Sequence, residues 1–162
     1  MSVWLQGVLI GVVATLAMDA WAIVARRVLH WPTGDWAHVG RWFGHMARGT
    51  FMHRPIGASA PVHGELAIGW TAHYAIGIAY GLAYLLFARW VAVPPESLLW
   101  ALVFALLLLV FPWLVMQPAL GAGAFSSRAP NPALRRLVSV SMHSAFGIGL
   151  CIGARLIAQT PA

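Results

Sequence analysis

Apolar residues run almost unbroken through four stretches, Val3 to Ala25, Leu66 to Ala88, Ser97 to Gln117 and Leu137 to Ala158. Each is close to the roughly 20 residues that a helix needs to cross a bilayer. Each stretch is also bounded by chemistry that stops it. Arg26 and Arg27 end the first, Arg89 with Pro94 and Pro95 the second, Pro118 with Gly121 and Gly123 the third, and Arg135 and Arg136 precede the fourth. The pattern predicts an all-α integral membrane protein, a bundle of four transmembrane helices forming a single domain over 1–162. The first stretch resembles a signal peptide in position only, because no positive segment precedes it and its apolar run is too long.

Between residues 29 and 65 the period changes. Asp35 is placed to cap a helix whose apolar positions are Trp36, Val39, Trp42, Phe43 and Met46, with His38, Arg41, His45 and Arg48 on the opposite stripe. This predicts an interfacial helix in the first loop, its apolar face lying in the headgroup region or capping the bundle. The basic stripe suits anionic headgroups, and Arg41 with Arg48 also suits a phosphate or carboxylate.

Composition agrees with lipid as the main solvent. Hydrophobic residues make up 60% and charged residues 9% of the chain, against about a quarter charged in soluble domains. All ten basic residues are arginine, for a formal charge of +6, and on so apolar a chain this balance indicates topology and lipid headgroups as partners, not nucleic acid. Eight arginines fall in the loops after the first and third spans and only Arg89 and Arg155 on the other side. The positive-inside rule then puts both loops in the cytoplasm and both termini outside. The single cysteine, Cys151, lies in an apolar run and is expected to be a buried, inert thiol.

The second and fourth spans share His-x-Ala-x-Gly-Ile at His73–Ile78 and His143–Ile148, and the first and third share Leu-x-Met followed by Asp19 or Gln117. A duplicated helix pair would explain this, as would the shared composition of membrane helices. Either way, Asp19, His73, Gln117 and His143 fall in one depth layer near the cytoplasmic side. Three ladders of mostly small residues four apart carry most of them: Gly7, Gly11, Thr15, Asp19; Gly69, His73, Gly77, Gly81; and Ser139, His143, Gly147, Cys151. A buried polar site is expected, since a charge facing lipid costs about 2.5 to 3.5 kcal/mol.

Three uses of that site stay open: a clamp holding the helices in register, a metal ion or haem held by His73 and His143 with Asp19, and a solute or proton site in a small transporter, exporter or sensor subunit. Transport by so few helices would require an oligomer or a membrane protein partner. Arg41, His45, His63 and Glu65 are candidates for a cytoplasmic mouth to the site, although Glu65 also suits the start of a helix dipole. No nucleophile or paired-carboxylate motif supports an enzyme.

The segments Gly40-Arg41-Trp42 with His45, Gly69-Trp70-x-x-His73-Tyr74, Met116-Gln117-Pro118-Ala119-x-Gly121-x-Gly123 and Arg128-x-Pro130-Asn131-Pro132 resemble a family of bacterial multi-pass membrane proteins, domain of unknown function 2938. The resemblance extends over nearly the whole chain. It implies an inner-membrane protein with four spans and no established activity or catalytic residues.

Overall fold

A computed structural model describes residues 1–159, in which every regular element is a helix and no strand is present among the described residues. Helix α1 (Val3–Arg27) starts at Ser2, whose hydroxyl accepts from the Leu5 amide, and ends on the two arginines. Helix α2 (Trp36–Met46) is the expected short helix, with Asp35 Oδ1 accepting from the Ala37 amide at 2.9 Å. Helix α3 spans Glu65–Trp90. The next apolar run forms α4 (Leu98–Leu107), a π turn over Pro112–Met116 and the short α5 (Gln117–Ala119). Helix α6 (Pro132–Ala158) begins at Pro132 rather than Leu137, because Asn131 Oδ1 caps the Leu134 amide and proline suits the first helical position. Four of these stretches, Val3–Arg27, Glu65–Trp90, Leu98–Ala119 and Pro132–Ala158, are long and apolar enough to cross a membrane.

The break in the third span departs from the uninterrupted helix that hydropathy predicts. Pro112 has no amide hydrogen and its ring crowds the carbonyl four residues back, so the regular ladder stops there. It resumes with the wider spacing of a π turn, in which the Gln117 amide donates to the Pro112 carbonyl. The span then continues past Pro118 to Ala119.

Close packing is made by small residues. Helix α1 lies between α3 and α6, and α4 lies against α6. Gly11 meets the backbone of Gly77 and Ile78, and Gly81 meets Gly7 and Gly11, so the first two ladders face each other as expected. On α6 two faces are used: Gly149 and Gly153 approach Ala14 and Ile10 of α1, while Gly147 approaches Ala101 and Ala105 of α4. The third ladder therefore turns toward α4. Its Cys151 is buried and free, with the thiol directed at the Glu96 carbonyl.

Helices α3 and α4 meet along an aromatic seam. Phe87 and Tyr84 pack on Phe104 with centroids 5.2 and 5.3 Å apart, and Tyr80 on Phe111 at 6.0 Å. Fully buried Tyr84 also donates to the Pro95 carbonyl, which closes the short-loop end. Beyond Tyr80 and Phe111, toward the long loop, the two helices part. A true duplication would make the α3–α4 interface match the α1–α6 interface; here α1 and α6 pack extensively, whereas α3 and α4 meet over a shorter stretch.

Candidate functional site

Where α3 and α4 part, a crevice of about 380 Å³ remains. Its walls are Thr15 and Met18 of α1, the α3 face from His73 to Tyr80, the broken helix at Phe111, Pro112, Val115 and Met116, and His143 with Phe146 of α6. Helix α2 closes the long-loop end with Trp36, Val39, Trp42 and Phe43. The apolar face of α2 thus caps the bundle.

This cap is held by two contacts, one of backbone and one of charge. Gly40 and Gly69 lie where α2 crosses α3 so closely that a Cβ on Gly40 would overlap the Glu65 carbonyl, and one on Gly69 the Trp36 carbonyl. Arg41 then forms a two-pronged pair with Glu65, Nη2 to Oε1 at 2.7 Å and Nε to Oε2 at 2.9 Å. That hydrogen bond raises the Arg41 pKa above its ordinary value. The remaining Arg41 nitrogen, Nη1, donates to the carbonyls of Ile56, Gly57 and Ser59.

The expected mouth residues are thus mostly engaged in building the loop. His45 is bonded to the Ala60 carbonyl, whereas His63 is exposed and makes no hydrogen bond among the described residues. The loop is also pinned to the end of the broken span, with the His53 and Ile56 amides donating to Ala119 and Leu120. Gly121 permits the turn there: its φ is +92°, and a Cβ would sit 2.8 Å from the His53 carbonyl oxygen.

Behind the crevice wall formed by His73, its Nε2 is 2.9 Å from Asp19 Oδ1, and the Tyr74 hydroxyl donates to Asp19 Oδ2 at 2.9 Å. Each carboxylate oxygen therefore has a partner. Trp36 stacks on the His73 ring with centroids 3.9 Å apart, so α2 fixes the orientation of the imidazole. A more open depression of about 500 Å³ lies on the far side of Trp36, over Trp31, Arg26 and Trp70.

His143 faces the same crevice as His73, but its Nδ1 is bonded to the Ser139 carbonyl of its own helix at 3.0 Å. Gln117 makes no side-chain hydrogen bond to Asp19, His73 or His143, and its buried Oε1 has no partner among the described residues. The pairing of Asp19 with His73 is thus not repeated between Gln117 and His143. Among the described residues no three His, Cys, Asp or Glu side chains are grouped to hold a metal ion. Of the expected set of His73, His143 and Asp19, Nε2 of His73 is engaged by Asp19, and Nδ1 of His143 by the Ser139 carbonyl of its own helix.

The four quoted segments all have structural work at this end of the bundle, in the α2–α3 crossing, the Asp19 contacts, the π turn and the cap of α6. Over residues 8–157 the chain matches the family model described as "Protein of unknown function (DUF2938)". The chain belongs to this family. No curated protein and no solved structure matches it.

In this DUF2938 chain, sequence reasoning passed over Tyr74, Trp36 and Pro112 as parts of the site. Tyr74 adjoins His73 and so points to a neighbouring face, which hid its bond to Asp19. Pro112 carried the clearest missed signal, a proline within an apolar run. Non-helical backbone at membrane depth is tolerated where it is buried in protein or lines a cavity, and Pro112 lines this crevice.

Proposed function

We propose that the protein is a membrane-embedded binding subunit that holds a lipid-soluble small molecule between α3 and the broken helix. One observation carries this reading: two histidines from different helices face a single, otherwise largely apolar crevice of about 380 Å³. Small-molecule sites have this character, with volumes of roughly 300 to 1,000 Å³, apolar walls and a few placed polar groups. Asp19, itself bonded by the Tyr74 hydroxyl, holds one imidazole, and Trp36 packs against its face. Such bracing belongs to a preorganised site as well as to a helix clamp.

The arginines supply the orientation. Eight of the ten lie toward the crevice end of the bundle, which by the positive-inside rule supports a cytoplasmic crevice end and outside termini, in the bacterial inner membrane that the family resemblance implies. A ligand reaches the crevice sideways from the bilayer, through the gap in the α3–α4 seam.

Native mass spectrometry of protein extracted in mild detergent tests the reading. We expect a small-molecule adduct on the wild-type chain and its loss in Ala79→Phe, which fills the crevice from the α3 wall. An adduct equally abundant in the folded variant, or none on either protein, would count against a crevice ligand.

A further inference from the structure

The hydrogen bonds already made inside the crevice restrict what a ligand must offer. His143 Nδ1 lies 3.0 Å from the Ser139 carbonyl oxygen. A carbonyl oxygen only accepts, so Nδ1 carries a proton. No carboxylate pairs with this ring among the described residues, and an unpaired charge on an apolar wall is costly, so the ring is neutral. Its Nε2 is then a lone-pair acceptor.

His73 has one ring nitrogen engaged and one free. Its Nε2 faces Asp19 Oδ1 at 2.9 Å, leaving Nδ1 uncommitted. A third polar group lies deeper in the crevice: Tyr80, whose ring packs on Phe111 and Phe146 and whose hydroxyl makes no hydrogen bond among the described residues. Arg41, by contrast, does not line the crevice, and its donors are taken by Glu65 and loop carbonyls.

We infer that the ligand is an apolar alcohol or phenol whose hydroxyl donates to His143 Nε2, an inference that rests on the crevice being the binding site. A carboxylate or phosphate headgroup brings no proton for that nitrogen and meets no arginine here. An ether or ketone can accept from Tyr80 but gives nothing to His143. A hydroxyl both donates and accepts, so it suits the imidazole and the phenol alike.

The test compares para-octylphenol with its methyl ether by calorimetry on the full-length protein in nanodiscs, in wild type and His143→Phe. One net hydrogen bond corresponds to about a threefold to tenfold preference for the phenol. We expect that preference in wild type and equal binding of the two probes in His143→Phe. Equal binding in wild type, or a preference that survives the substitution, would overturn the hydroxyl assignment and leave the crevice standing. Binding of neither probe would overturn the crevice reading and this inference together. If His143→Phe does not fold, the nitrogen-15 shift of His143 in wild type decides: movement of an unprotonated Nε2 on adding the phenol supports the inference, and a protonated Nε2 or no change overturns it.

Discussion

Gly69→Val should loosen α2 from the bundle and lower stability by about 3 kcal/mol, the upper part of the usual range for overpacking. The added Cβ would overlap the Trp36 carbonyl at the point where α2 crosses α3. Backbone cannot swing aside as a flexible side-chain tip can. Relief must come from moving α2 away, and that removes Trp36 from the His73 ring and uncovers the crevice. Hydrogen exchange should show faster exchange across Trp36–Met46, and denaturation in mixed micelles should give the stability change. Gly34→Ala is the matched control: its Cβ meets nothing within 4 Å, so its effect should stay within about 0.5 kcal/mol. Unchanged protection of α2 in Gly69→Val would contradict the close crossing.

Asp19→Ala should cost a comparable amount, about 3 kcal/mol, and for a different reason. The carboxylate takes hydrogen bonds from both His73 and Tyr74, so its removal strands two polar groups in a low-dielectric interior. Losing one side of a buried, hydrogen-bonded pair typically costs about 3 to 5 kcal/mol, and Asp19's partial exposure argues for the lower end. Asp19→Asn keeps the shape and one acceptor oxygen, so its loss should be smaller. Tyr74→Phe separates the two bonds: about 1 kcal/mol is expected, since it deletes one donor and leaves His73 paired. Equal stability of Asp19→Ala and wild type would mean that the carboxylate holds neither partner.

The four apolar runs, the Asp35-capped helix and the facing ladders of α1 and α3 were legible because each follows from a single local rule: length in lipid, a capping side chain, small residues at helical spacing. Asp19 and His73 could be brought together for the same reason, since depth and face both follow from the span boundaries. What depends on how helices sit beside one another was less legible. His143 shares depth and composition with His73, yet α6 presents separate faces to α1 and α4, and no periodicity tells which neighbour takes which face. Gln117 looked equivalent to Asp19 until the π turn after Pro112 changed the angular relation between Gln117 and the residues preceding it. The crevice itself has no sequence signature. It exists because the aromatic seam from Phe87 to Tyr80 closes only part of the α3–α4 interface.

The measurement that bears most directly on the central claim is a density map of the protein in lipid nanodiscs, detailed enough to place side chains. We expect α3 and α4 apart on the long-loop side of the Tyr80–Phe111 contact, with elongated density between them that ends near the His143 ring. Helices packed together along their whole length, or an open crevice holding no such density, would contradict it.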